Sequence, residues 1–279
     1  IRRGAFEGVE GTVKSIKKHL CVVIPVRDIM AVAILNVPKK DIEVVECSPV
    51  TAVKTFLGWL GFENVIDKDA ALKDGEIKEE DLYFEYEGYY VFMEVKGING
   101  TSTDAECSQI DKIVNRRMRA LSTTNVHGIY VVNHQRNIEP LKRQMPPFND
   151  NQIKDAENQS RTLVYTTQLF SLFSDIESGY LTKEQACKAL MQKGLADFHR
   201  HLTILGKPYN YFQDDTVICL DLNNTLIQVD DTLFYKDSLQ RLVSLKVESI
   251  QQESQNMDSV TSGKTRIKVD KAVPEVKRF

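Results

Sequence analysis

Asp81, Glu94 and Lys96 are the residues whose types and spacing suit chemistry on a phosphodiester. They lie in the stretch 80–97, where two runs rich in aromatic and β-branched residues flank Glu87-Gly88, a good hairpin-turn signal. Side chains alternate along a strand, so Glu94 and Lys96 leave one face and Val95 the other. Asp81 opens the first strand, and an antiparallel hairpin returns it close to Glu94. Two carboxylates and an ammonium then share one patch, a costly arrangement unless a cation joins it. The carboxylates are hard oxygen ligands of the kind Mg²⁺ or Mn²⁺ takes, with water and substrate phosphate in the other positions. Such an ion lowers the pKa of a bound water and stabilises charge on the phosphate. A lysine two residues beyond a ligand is placed to orient that water or to neutralise the pentavalent phosphorus centre. The competing reading is a surface hairpin with a solvated Glu-x-Lys pair, a common strand feature.

The neighbouring elements are those that would hold such a patch in place. Thr51 to Leu60, followed by Gly61-Phe62, reads as a helix ended by a glycine. After Gly97 comes a polar loop, 98–102, and then a helix-like segment with Gln109 near its start and an apolar stripe of Ile110, Ile113, Val114 and Met118. Lys112, Arg116, Arg117 and Arg119 cluster on that helix; they read equally as phosphate contacts or as a solvated face. Residues 128–133 read as a buried strand.

Asp81, then Glu94-Val95-Lys96 on the next strand, followed by this helix and strand, resembles the PD-(D/E)xK, or restriction-endonuclease-like, superfamily. Glu80 stands where that pattern usually has proline. The resemblance implies an α/β fold with a restriction-endonuclease-like core, a mixed central sheet and flanking helices. It implies that Asp81 and Glu94 ligate Mg²⁺ or Mn²⁺, that Lys96 assists the attacking water, and that Gln109 faces the site for a water or phosphate contact. It tilts the substrate toward DNA ahead of RNA. An acidic residue on the first helix often helps bind metal in this superfamily; here the helix has none, and Glu46 at its entrance is the candidate.

Composition narrows the alternatives. With 42% hydrophobic and 27% charged residues in 279, the chain is long enough for two or three domains with their own cores. The net charge of −3 does not mark the whole chain as a nucleic-acid binder, which leaves local patches to do it. Five scattered cysteines, Cys21, Cys47, Cys107, Cys187 and Cys219, argue against zinc and a disulfide framework and fit a reducing, cytoplasmic compartment. No apolar run reaches transmembrane length, no signal peptide is visible, and no membrane partner is expected. Neither phosphate-binding glycine motif occurs, so nucleotide-driven translocation is not expected. Because it starts at Ile1 within a β-type run, the sequence reads as a piece of a longer protein, or as a processed or incompletely captured one.

Three segments differ in texture. Residues 1–46 alternate short β-type runs, 11–16, 20–26 and 30–38, with glycines at Gly4, Gly8 and Gly11. The phrase 4–14 resembles the KOW segment of NusG-like transcription factors, which implies a small β-barrel, whole or partial, docking on transcription or translation machinery. Residues 47–200 carry the hairpin. They continue through a helix at 151–159, a strand from Leu163, a helix 168–178 with Thr167 as its cap, and an amphipathic helix after Thr182. The phrases at 164–170 and 182–185 resemble endonuclease-like defence or repair proteins of bacteria. His134 lies at the end of the 128–133 strand and reads mainly as a loop residue. Residues 201–279 are β-type again, and 225–234 resembles the barrel domain of elongation factor Tu and its relatives, with Asp230 where glycine is usual. The leading expectation is a metal-dependent endonuclease targeted by flanking barrels, with nucleic acid and a second copy of the chain among its partners. The alternative is a non-catalytic adaptor that binds nucleic acid or the transcription or translation machinery through its barrels.

Overall fold

A computed structural model describes the backbone of 12–16, 19–25 and 32–36, and residues 48–273 apart from 69, 71–79, 238 and 239. Glu46 and the glycines of the first segment lie outside the described residues. The chain divides into two compact units, Ile1–Ser48 and Pro49–Phe279. In the first, the three β-type runs become β1 (Thr12–Ile16), β2 (His19–Pro25) and β3 (Val32–Asn36), an antiparallel sheet in the order β1-β2-β3.

The second unit begins with α1 (Pro49–Leu60), whose Val53, Leu57 and Leu60 recur at helical spacing and are buried. Next come β4 (Ile66–Asp67), β5 (Leu82–Tyr86) and β6 (Tyr89–Gly97). Glu87 and Gly88 both have positive φ, 47° and 80°, as a two-residue hairpin turn of matching twist requires. The short α2 (Asp104–Cys107) starts at a Thr103–Glu106 capping box and leads into α3 (Gln109–Leu121) and β7 (Val126–Asn133). Then follow α4 (Asp150–Asn158), β8 (Arg161–Tyr165), α5 (Thr166–Glu177), α6 (Lys183–Leu190) and β9 (Gly194–Leu195).

These strands form one mixed sheet, β4-β5-β6-β7-β8-β9, antiparallel from β4 to β6 and parallel from β6 to β9. Strands buried on both faces have two cores. Leu82, Phe84, Met93, Val95, Ile129, Val131 and Val164 pack with α1, α5 and α6 on one side. Phe92, Tyr130, Val132 and Leu163 pack with α3 and α4 on the other. The architecture is a mixed α/β sandwich of helices around a sheet. Gly128 is where α3 meets β7: a Cβ there would lie 2.7 Å from both Ile110 Cγ1 and Val114 Cγ2. The missing side chain lets the helix carrying Gln109 settle against the sheet.

Thr167 does not cap α5. β8 runs directly into the helix, so extended Tyr165 takes the cap position and Thr167 falls inside the first turn.

Antiparallel strands complete the unit: β10 (Asn210–Phe212), β11 (Val217–Leu222), β12 (Ile227–Gln228), β13 (Thr232–Lys236), β14 (Leu242–Gln252), β15 (Gln255–Met257), β16 (Ser259–Val260) and β17 (Gly263–Val269). Their order is β10-β11-β17-β14-β13, with β15 on β14 and β12 paired to β16, around a core that includes Ile218, Leu220, Leu245, Val247 and Ile267. Buried Asp175 of α5 ties this sheet to the α/β part: Oδ1 accepts from Leu242 N at 2.8 Å and Oδ2 lies 2.8 Å from His199 Nε2.

Candidate active site

The register of the β5–β6 hairpin, Leu82 opposite Met93, carries Asp81 alongside Glu94. Asp81 N donates to Met93 O at 3.1 Å, and its Oδ2 accepts from Val95 N at 2.7 Å. Asp81 is therefore fastened to the residues on both sides of Glu94. Glu94 projects toward α3 and is 3% exposed. Its Oε1 lies 2.5 Å from Lys96 Nζ and accepts from Gln109 Nε2 at 3.0 Å. A carboxylate in so dry a place keeps its charge only if cations and donors surround it. Lys96 has a side chain 35% exposed, so the cluster opens to solvent on the lysine side.

Tyr130 lies opposite Glu94 on β7 and forms the floor. Burial pushes its phenol well above the usual tyrosine range, so it stays neutral, with its hydroxyl 3.4 Å from Ser102 Oγ.

Asp81, Glu94, Lys96 and Gln109 are thus brought together by a hairpin and the helix that follows it. The four basic residues of α3 are not equivalent. Lys112, Arg116 and Arg119 sit on the exposed face of the helix, spaced i, i+4, i+7. Arg117 turns inward: Nη2 donates to both carboxylate oxygens of Glu80, at 2.7 and 3.0 Å, and the guanidinium lies 5.3 Å from the centre of the Phe92 ring. Glu80 is 1% exposed, so this pair clamps α3 to the sheet. At the other end of α3, Asp111 pairs with buried Arg161, which also donates to Cys107 O at 2.8 Å. His134 is fully buried, its Nε2 2.8 Å from Gln144 O and its ring against Tyr165; burial lowers its pKa.

Arg136 is a residue that pattern reading missed. It is exposed, its Nε donates to Asn99 Oδ1 at 3.0 Å, and its Nη1 lies 3.8 Å from where a Cβ on Gly97 would stand. That puts a cation at the end of β6, on the side toward which a Gly97 side chain would point, the face of Val95 and not that of Glu94 and Lys96. Its signal was position: a cation just beyond the carboxyl end of a parallel strand, where ligands collect in such sheets.

For a divalent ion the donor set is two carboxylates held at adjacent backbone positions. This fits the way Mg²⁺ is bound, through one or two carboxylates with waters and phosphate completing the shell, better than a dedicated cage. Among the described residues there is no group of three or more His, Cys, Asp or Glu side chains able to hold a metal.

No family model matches the chain, and no curated protein does. Solved structures give faint likenesses. The C-terminal domain of a Geobacillus thermoleovorans putative U32 peptidase is 14% identical, with 28% of this chain and 96% of that one covered and a TM-score of 0.23. The elongation factor SelB from Methanococcus maripaludis is 14% identical over 79% of this chain, with a TM-score of 0.21. A bacterial selenocysteine-specific elongation factor is 13% identical over 81%, also at 0.21. The chain spans 50% and 41% of the lengths of those two factors. At such scores none of these likenesses carries an argument about fold or function. Among the described residues, no helix is long and apolar enough to cross a membrane.

Proposed function

We propose that this chain is a metal-dependent nuclease of the PD-(D/E)xK type that hydrolyses phosphodiester bonds in nucleic acid, DNA ahead of RNA. One observation carries the reading: Asp81 is bonded on both sides of Glu94 while Lys96 and Gln109 converge on one Glu94 oxygen. The order of elements supports it, a helix, then a hairpin with Glu-x-Lys on its second strand, then a helix crossing over to a parallel strand.

Asp81 and Glu94 would hold Mg²⁺ or Mn²⁺, which when bound supplies a water of lowered pKa and a charge against the phosphate. The chain's own groups have separate tasks. Gln109 holds Glu94 by Oε1 and fixes the direction of the carboxylate. Asp81 is fixed by Val95 N, so both carboxylates keep their positions without substrate. Lys96 Nζ, on the open side, is the donor that meets negative charge as it grows on the phosphate oxygens, where a preorganised donor is worth most.

The test is cleavage of plasmid DNA, single-stranded DNA and RNA in Mg²⁺ or Mn²⁺ across a range of salt, since phosphate contacts weaken with ionic strength. Wild type should cut at least one, and Asp81→Asn and Lys96→Ala should abolish cutting with the fold retained by circular dichroism. A wild type that cuts none of them overturns the reading, and the non-catalytic adaptor takes its place.

A further inference from the structure

The C-terminal sheet carries a second surface that the hairpin site does not use. β17 alternates strictly, with Thr265, Ile267 and Val269 buried and Lys264, Arg266 and Lys268 exposed. Those three cations therefore stand on one face, about 6.6 Å apart along the strand. That spacing is close to the reach of one nucleotide in an extended single strand. Beside them, β10 and the residue before it present Phe212 and Tyr209, 44% and 54% exposed. Each ring is paired with a cation of β17: Arg266 lies 5.6 Å from the Phe212 centroid and Lys264 Nζ lies 6.0 Å from that of Tyr209. In register Phe212 lies level with Lys268, through Val217, so Arg266 reaches its ring on the diagonal, two residues back along β17. The result is a concavity of about 480 Å³, with Val217 in its lining, Phe212 beside it, and Gln251 and Asn256 along β14 and β15.

Four exposed acidic residues lie near the three cations. Glu248 pairs with Lys268 at 2.8 Å, Asp221 lies opposite Lys264, and Asp214 and Asp215 occupy the turn after Phe212. An exposed ion pair of this kind contributes little and yields readily to a phosphate.

We infer that this face binds a single-stranded segment of nucleic acid, its phosphates along Lys264, Arg266 and Lys268 and its bases on Phe212 and Tyr209. Flat rings and cations in one unit match a ligand that presents a π-face and an anion at every repeat. A duplex hides its base faces in the stack, and an acidic peptide has nothing to lay on the rings. The Gln251 and Asn256 amides add donors and acceptors for base edges without fixing a sequence. The surface goes beyond the nuclease reading and stands without it.

The experiment is fluorescence anisotropy of the full chain with labelled 20-nucleotide oligothymidylate and oligouridylate in EDTA, between 50 and 200 mM salt. Wild type should bind, with a log–log salt slope near −2, about 0.7 for each of three phosphate contacts. Lys264→Ala with Arg266→Ala should cut the slope by about 1.4 and weaken binding at least tenfold at the lowest salt. Phe212→Ala should weaken binding roughly tenfold with the slope unchanged, as loss of a stacking platform does. The proposal is overturned if wild type fails to bind, if the variants bind as wild type does, or if polyglutamate or a duplex of equal length competes as well as the single strand. Metal-dependent cleavage is off in EDTA, so a binding failure leaves the reading of Glu94 untouched. Absence of cleavage in Mg²⁺ with binding intact would sink only the nuclease.

Discussion

Glu80 just before β5 and Glu94 on β6 are two buried carboxylates, 1% and 3% exposed, each with a basic partner, yet they do different things. Glu80 is closed by Arg117, a planar guanidinium that covers both of its oxygens and rests on the Phe92 ring. Glu94 is met by Lys96, a point charge on a flexible stem with a third of its side chain in solvent, and by the amide of Gln109. Arg117 spans both Glu80 oxygens from one nitrogen of a rigid, stacked guanidinium, whereas a lysine ammonium on its flexible stem can turn to a new partner. The first pair is built to stay shut. The second can open to a phosphate or a cation without unfolding anything. Burial and charge alone do not mark a site; the mobility and exposure of the partner do.

The same isosteric change at the two positions should separate them. Glu94→Gln should lower metal-dependent cleavage about 1000-fold or more, the upper range for loss of a charge-stabilising group, while the urea midpoint stays near that of wild type. Glu80→Gln should reverse the pattern. It removes the charge that faces Arg117, whose side chain is 25% exposed, and should cost about 3 kcal/mol in urea unfolding, the low end for a buried pair, with cleavage by the folded fraction within a few-fold of wild type. A Glu80 variant of unchanged stability would show that its pair is no clamp.

A third buried group avoids charge altogether. His127, 3% exposed with Nε2 2.7 Å from Thr162 Oγ1, has its pKa lowered to about 4, first by burial. Between that value and about 6.5 the unfolded chain binds a proton there that the folded chain does not, so stability falls as pH falls through this window. The loss is on the order of 3 kcal/mol. His127→Gln should flatten this part of the profile of melting temperature against pH; an unchanged acid slope would mean that other groups set it.

Gly128 tests the helix that serves both carboxylates. Gly128→Ala places a methyl against Ile110 and Val114 and should cost about 1–3 kcal/mol. Because α3 carries both Gln109 and Arg117, cleavage should fall together with stability, and a loss of stability alone would uncouple them. The smallest effect is expected on the outer face of α3. Lys112→Ala, Arg116→Ala and Arg119→Ala should each reduce the salt slope of duplex binding by at most about 0.9, whereas a slope unmoved in the triple variant would make that stripe a solvated face.

Much of the hairpin site was legible because local rules govern it. The Glu87-Gly88 turn fixes the register, strand alternation puts Glu94 and Lys96 on one side, and the stripe of Ile110, Ile113 and Val114 orients Gln109 toward the sheet. Arg117 was read as one of a cluster of four, since consecutive charges on a helix look alike until the angular position of the apolar stripe is set against them. Its partner Glu80 is 37 residues away in sequence. Arg136 was missed for the same reason: its place beside Gly97 depends on β6 and β7 pairing in parallel, which no short window of residues displays.

By itself the sequence determined the local elements: the helix from Thr51 to Leu60, the two-residue turn at Glu87-Gly88, and the buried strand 128–133, each present in the structure with ends shifted by at most two residues. These follow from periods of two and 3.6 residues and from turn chemistry, which act over a few neighbours. Only the tertiary structure decided which cation closes which carboxylate, which basic residues face solvent, and which rings stand beside Lys264 and Arg266. Those choices depend on strand order and helix packing, where residues far apart in the chain compete for the same few ångströms.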